Sequence, residues 1–308
     1  MAHNSPGKVW TYGNGAWHEG DAAILAPRHQ AFWLSSTVFD GARAIAGKAP
    51  DLDRHAERLI RSAHVLGMKP PIGRSEIEAL VWDGIAKFDA DAELYICPIF
   101  YAEEGAVVLP DPASTQFSMV VREAPIPPFE GFGACLSSFR RPARDMAPTE
   151  AKASCLYPNV ARSVGEAQEK GFDVGVVLDP NGNVAEFSYA NLFMAKDGVV
   201  LTPEINGTFL NGITRQRVIQ LLRDDGHTVV ERAMDFGEVL AADQVLAVRG
   251  PGGTVEQAEV FLGHLRGAAA VGLHAPEVVA AAAVKLCCVH MHDKRFVALK
   301  LGLKTGGK

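Results

Sequence analysis

The chain lacks the cysteines for a disulfide framework. It has 5 in 308 residues, an odd number, and Cys287 and Cys288 are adjacent. Cys97, Cys135 and Cys155 stand far apart, with no Cys-x-x-Cys pair, so neither a stapled scaffold nor a zinc site is predicted and no metal is expected. No run approaches the ~20 apolar residues of a membrane span. The opening MAHNSPGKVW has no apolar core of a secretory signal, so a reducing cytoplasm is the expected compartment and no membrane partner is expected. Basic charge is also short. Lys and Arg number 30 against 36 Asp and Glu, a formal net charge of -6, which argues against a nucleic-acid partner.

What is present is an ordinary globular composition, 48% hydrophobic and 21% charged. At about 150 residues per domain, the length suggests two domains. Strands are predicted at Val9–Tyr12, Ala16–His18, Ser36–Ile45, Glu93–Tyr101 and Gln116–Arg122. Apolar residues at helical spacing mark Asp53–Leu66 and Ser75–Phe88 as helices. Glu123–Gly133 is rich in proline and glycine and has no period, so it is taken as a linker between domains at 1–122 and 134–308. Beyond it come a strand at Ala134–Phe139, a polar loop at Arg140–Ala151 and a helix over Pro158–Lys170. Short strands follow at Val174–Leu178, Val184–Phe187, Asn191–Ala195, Val199–Thr202, Thr228–Glu231 and Gln244–Val248. Helices are predicted from Thr214 to Asp224 and over Phe236–Ala241. The tail from Arg249 has no Tyr or Trp and carries runs of alanine. It is predicted to close the second domain with helix.

Four features could carry chemistry. Gly212-Ile213-Thr214 opens an amphipathic helix after a loop. Free amides of a first helical turn point at an anion, with Thr214 expected at the N-cap; an ordinary capped helix is the alternative. Arg58 could bind a phosphate through its fork or simply pair with a surface acid. Lys152 sits among small residues, where a desolvated amine can condense with an aldehyde, although most lysines are surface charges. Glu186 is flanked by apolar residues on a short strand and could face a cationic ring nitrogen or a structural salt bridge. Together, a phosphate cradle, an amine for an aldehyde and a carboxylate for a pyridinium are the groups that pyridoxal phosphate needs.

In that order, the stretches VFDGAR (38–43), DRHAERL (53–59), ELYICPIF (93–100), AKASCLYPNVAR (151–162), NVAEFSYANLF (183–193), KDGVVLTP (196–203) and NGTFLNGITRQRV (206–218) resemble the class IV, fold-type IV, PLP-dependent aminotransferases. They are nearest the branched-chain amino acid aminotransferases. The resemblance implies an α/β fold (α+β), with an N-terminal α/β sandwich and a C-terminal α/β pseudo-barrel. It also implies PLP as cofactor, a homodimer or higher homo-oligomer, and small-molecule partners, namely an amino acid or amine and a keto acid. Lys152 would be the Schiff-base lysine and proton carrier. Glu186 would hold the pyridine nitrogen protonated. Arg58, Ile213 and Thr214 would bind the phosphate. Leu210 or Asn211 would shape the loop under the ring, and Tyr157 would donate to the phenolic oxygen. Phe39, Gly41, Tyr95 and Cys97 would line the substrate pocket.

The chain departs from the pattern twice. Cys97 stands where the family carries an arginine that pairs with the side-chain carboxylate of glutamate, so glutamate is expected to be a poor donor unless Arg43, Arg140 or Arg141 serves instead. After Val248 the family's Ser/Thr-Gly hairpin is replaced by Arg249–Thr254, with Thr254 as a candidate substitute. Branched-chain transamination is therefore the leading expectation. An (R)-amine or D-amino-acid transaminase, an aminodeoxychorismate-lyase-like enzyme and a catalytically impaired PLP-binding relative are the alternatives.

Overall fold

A computed structural model describes residues 7–126, 131–248 and 255–261. Two sheets organise them. Strands β1 (Val9–Gly13), β2 (Ala16–Glu19), β3 (Thr37–Phe39), β4 (Ala42–Ile45), β5 (Glu93–Ala102) and β8 (Thr115–Glu123) form the first. Its order is β2-β1-β8-β5-β3, with β4 also on β5. Between β5 and β8 a small hairpin, β6 (Gly105–Ala106) and β7 (Leu109–Pro110), stands apart. Two further helices cover the sheet, α2 (Leu52–Val65) and α3 (Arg74–Ile85), and a short α1 (Gln30–Leu34) precedes β3.

The periodicities explain the packing. On β5, Leu94, Ile96 and Phe100 alternate into the core, as period-two side chains must. They meet Ala56, Leu59 and Ala63 of α2 and Ile77 and Val81 of α3, spaced three or four apart. Burying one such side chain contributes about 1.5–3 kcal/mol.

The predicted strand Ser36–Ile45 is split at Asp40 and Gly41. The register is the same on both sides, Phe39 to Ile99 and Ala42 to Ile96. Opposite the break lies Pro98, which has no N–H to donate to the ladder; its carbonyl still accepts from the Asp40 amide at 3.0 Å.

The second sheet runs β11-β10-β9-β16-β15-β12-β13-β14. Its strands are β9 (Phe132–Arg140), β10 (Val174–Leu178), β11 (Val184–Phe187), β12 (Asn191–Lys196), β13 (Val199–Pro203), β14 (Val229–Arg232), β15 (Gln244–Val248) and β16 (Val255–Phe261). Several are apolar throughout because both faces are covered. Leu192, Met194, Val245 and Ala247 join one core. Their neighbours Phe193, Leu246 and Val248 join another with Val218, Ile219 and Leu222 of helix α5 (Ile213–Asp224). Helices α4 (Tyr157–Glu169) and α6 (Phe236–Leu240) complete this half.

β8 ends at Glu123 and β9 begins at Phe132, so the change of sheet falls in the proline- and glycine-rich stretch. The expectation of a helical tail is corrected at Val255–Phe261. That segment is a strand inserted between β15 and β9, antiparallel to the first and parallel to the second. Its β-branched and alternating text (VEQAEVF) suits a strand better than the alanine-rich text after it. The remaining tail and the Arg249–Thr254 stretch lie outside the described residues.

Candidate active site

Residues from both sheets converge on a cavity of about 390 Å³ lined by Arg58, Lys152, Tyr157, Glu186, Leu210 and Gly212 among others. Lys152 belongs to the chain after β9, yet its main chain is held by the first half. Its N–H donates to Ser62 Oγ at 3.0 Å, its carbonyl accepts from the Phe39 amide at 3.1 Å, and the next residue, Ala153, bridges to Val38. The side chain is therefore aimed by a fixed backbone. Its Nζ donates to the Tyr157 hydroxyl at 2.8 Å and lies 4.7 Å from the centre of the Phe39 ring. Phe39 and Tyr157 pack against each other with centroids 5.0 Å apart. Tyr157 can hold this position because it is the first residue of α4, five residues from the lysine.

Arg58 lies on α2, and one edge of its fork is committed to Asp40. Nε and Nη2 donate to the two carboxylate oxygens, each at 2.7 Å. Asp40 also meets His55 Nδ1 and the Gly41 amide, both at 2.7 Å. Asp40 is fully buried. Burial alone would raise its pKa, but Arg58 and His55 outweigh that and hold the carboxyl well below the usual carboxylate range. The sequence signal for Asp40 is an acid inside an otherwise apolar strand. Nη1 is the guanidinium nitrogen outside the pair, and Arg58 lines the cavity.

Glu186 is buried on β11 and its pKa is pushed up by burial, against the pull of Arg141. Arg141 Nη2 stands 2.5 Å from one carboxylate oxygen, and Asn191 Nδ2 donates to the other at 3.1 Å and to the Leu210 carbonyl at 3.2 Å. Asn191, a polar residue opening an apolar strand, therefore couples Glu186 to the loop before α5. That loop passes so close that a Cβ on Gly212 would lie 2.2 Å from Asn191 Oδ1. Gly212, not Thr214, is the N-cap of α5, which corrects the capping expectation. A glycine is required by the close approach, and capping moves two residues upstream with it. Ile213 and Thr214 are the first two helical residues, and their amides have no intrahelical acceptor.

Gly41 lines the cavity. Tyr95 and Cys97 share the β5 face opposite Leu94 and Ile96. Burial raises both, the Cys97 thiol to about 11. Of the three arginines considered as substitutes for a cation at position 97, Arg43 reaches the Ala124 carbonyl and Arg140 donates to the Pro180 carbonyl at 3.1 Å. Arg141 is paired with Glu186. Among the described residues no cluster of metal-ligating side chains is present, and no helix is long and apolar enough to cross a membrane.

The family model for class IV amino-transferases matches residues 37–249, which include all of the cavity residues named above. The chain belongs to the class IV aminotransferases. It is an enzyme of that family, with an α/β fold of the fold-type IV kind. It is 31% identical over 242 residues, 78% of this chain and 83% of the relative, to a probable branched-chain-amino-acid aminotransferase of Rickettsia bellii. Among solved structures it is similar to an aminotransferase from Brucella abortus bound to the cofactor PLP. That match has 46% identity and a TM-score of 0.80, over 82% of this chain and 91% of that one. It is also similar to a branched-chain aminotransferase of Thermoproteus uzoniensis with norvaline, at 30% identity and a TM-score of 0.74, over 84% of this chain and 89% of that one.

Proposed function

We propose that the chain exchanges amino groups between branched-chain amino acids and 2-keto acids with pyridoxal phosphate as cofactor. The observation that carries this is the placing of a lysine ammonium, a tyrosine hydroxyl and a buried carboxyl on one cavity. The PLP-bound relative and the relatives named for branched-chain substrates support the choice of cofactor and substrate. The residues fit the cofactor. Buried Arg141 Nε has no hydrogen-bond partner among the described residues, and Glu186 is a buried carboxyl whose raised pKa a cation would reverse.

When bound, the cofactor supplies an electron sink that weakens the Cα–H bond of an amino acid attached to it. Lys152 Nζ then carries the proton at the substrate Cα. Tyr157, 2.8 Å away, orients that amine. Glu186 holds a proton at the ring nitrogen, and Asn191 keeps the carboxylate in place. Arg58 Nη1 and the first-turn amides of Ile213 and Thr214 would hold the phosphate, with Leu210 on the cavity wall beside them. Phe39, Gly41, Tyr95 and Cys97 form the substrate side, whose apolar character suits branched aliphatic side chains.

The change of sheet supports two domains joined at 123–133. A homodimer is supported by exposed apolar surface. Phe32 and Trp33 on α1 are 63% and 64% exposed, and Val107 and Leu109 of the neighbouring hairpin are 85% and 70% exposed. Apolar exposure of this kind marks an association surface. The unpaired Cys97, Cys135 and Cys155 accord with a reducing, cytoplasmic location.

The test is a half-reaction. Purified holoprotein is mixed with L-leucine, L-isoleucine or L-valine, and the visible absorbance of the bound cofactor is followed. Wild type should lose that absorbance and release the matching keto acid, and Lys152→Ala should release none. Absence of keto acid from wild type with all three amino acids would overturn the reading.

A further inference from the structure

The groups assigned to the phosphate come from different halves. Arg58 stands on α2 of the first, and the amides of Ile213 and Thr214 open α5 of the second. One turn away along each helix, α2 and α5 are joined directly. Arg54 precedes Arg58 by four residues and so neighbours it on one face of α2, and Gln216 and Arg217 follow Ile213 and Thr214 by three. Arg54 Nη2 donates to Gln216 Oε1. Arg217 donates to both Asp51 oxygens, from Nε at 3.1 Å and from Nη2. Arg54 Nη1 stands 3.9 Å from the same carboxylate.

Two features separate this contact from an ordinary surface ion pair. The first is the backbone of Asp51. It is the N-cap of α2, with φ 53° and ψ 27°, yet its side chain caps nothing. Glycine suits the left-handed region best, and an N-cap aspartate usually accepts from its own first turn. Here the carboxylate, 9% exposed, is turned to the other half instead. The second feature is where Gln216 leads. Its Nε2 donates to the Asn211 carbonyl at 3.0 Å, and Arg215 Nη1 donates to the Asn211 side chain, also at 3.0 Å. Asn211 directly precedes Gly212, the N-cap of α5 and part of the cavity wall. A chain of hydrogen bonds thus runs from α2 through Arg54 and Gln216 to the turn that presents the Ile213 and Thr214 amides.

We infer that Asp51, Arg54 and Gln216 are positioning residues, a clamp between α2 and α5 that sets the spacing of Arg58 from the first-turn amides and thereby the grip on the cofactor's phosphate. The inference rests on the aminotransferase reading above, which supplies the cofactor. None of the three lines the cavity. An arginine fork and a helix first turn bind one anion only when both sets of donors reach it together, and donors on separate halves do so only while the halves keep one spacing. The clamp acts from outside the cavity, so its loss should weaken the phosphate grip and leave the contacts to the ring and aldehyde in place.

The test uses the full chain freed of cofactor. Its affinity is measured for PLP and for pyridoxal, which has the same ring and aldehyde but no phosphate, and the unfolding midpoint is measured alongside. Wild type should bind PLP far more tightly than pyridoxal. Asp51→Asn and Arg54→Met should each raise the Kd for PLP by roughly threefold to tenfold, the scale of one lost hydrogen bond to a charged group, with the Kd for pyridoxal unchanged. Arg54→Lys, which keeps a donor but not the fork, should recover part of the PLP affinity. Asp51→Gly, which relaxes the left-handed residue, should show the same selective loss without unfolding earlier than Asp51→Asn. Unchanged PLP affinity in Asp51→Asn and Arg54→Met, or equal losses on PLP and pyridoxal, would overturn the inference with the aminotransferase reading intact. A wild type that binds neither compound would sink that reading, and the inference with it.

Discussion

Asp40 and Arg58 meet through two parallel hydrogen bonds of 2.7 Å, in a pair where the carboxylate is wholly buried and the guanidinium nearly so. Each charge is tolerable only because of the other. Asp40→Asn should therefore cost about 3–5 kcal/mol of stability, because it leaves Arg58 buried and unpaired. Denaturant unfolding of the variant checks this. The same variant should bind the cofactor less tightly, since Arg58 is then free to leave the cavity wall. An unchanged unfolding midpoint would show that the pair is not a support.

Glu186→Gln keeps the shape of the site and removes the charge. Transamination should fall by on the order of 10²–10³ with the cofactor still bound, the usual loss when a fixed electrostatic partner is removed. Single-turnover kinetics of the half-reaction, with cofactor content measured in parallel, separates lost rate from lost binding. Near-wild-type turnover would remove Glu186 from the role proposed for it.

Gly212→Ala should be damaging out of proportion to one methyl group. The new Cβ would stand 2.2 Å from Asn191 Oδ1, so either the loop or Asn191 must move. Overpacking of this kind costs about 1–3 kcal/mol. It also disturbs the amide that holds Glu186. Thermal unfolding and cofactor affinity should both worsen, and the double variant with Asn191→Ala should regain stability relative to Gly212→Ala alone.

Acid stability has an identifiable contributor in Glu166, which fastens α4 to β9. Burial raises its pKa, but Lys170 and the Ser137–Ser138 donors outweigh that and lower it from 4.5 to about 2. Both serine contacts and the lysine contact measure 2.8 Å. A pKa depressed in the folded state contributes stability that is present above the unfolded value and lost as pH falls through the folded one. The loss should therefore run from about pH 4.5 down to about pH 2. Glu166→Gln should flatten the fall of unfolding free energy across that window, as urea titrations at several pH values would show.

Periodicity carried most of the fold. The α2 helix was visible because Ala56, Leu59 and Ala63 recur at helical spacing, and β5 because its inward residues alternate. The strand at Val255–Phe261 was not, because its neighbours in sequence are alanine-rich and its partners, β9 and β15, are far away or separated from it by a glycine-rich stretch. Within the site, Lys152, Glu186 and Arg58 were legible from their unusual settings and from the motifs around them. Their partners were harder to find. Arg141, a candidate substrate cation by sequence, stands 2.5 Å from Glu186. Pairing across strands is tertiary information that no local pattern contains.

The lysine's main chain has a consequence for how the two halves can move or be parted. Lys152 and Ala153 are stitched to Ser62, Phe39 and Val38, so the reactive amine rides on one half while its covalent chain belongs to the other. A cut between residues 124 and 131 would give fragments that hold each other at this seam. Neither fragment alone would keep the amine's aim, and activity would return only on recombination. A hinge between the sheets would strain the Lys152 backbone together with the Asp51–Arg217 and Arg54–Gln216 contacts of the same two halves, which ties the reach of its side chain to the angle between the halves.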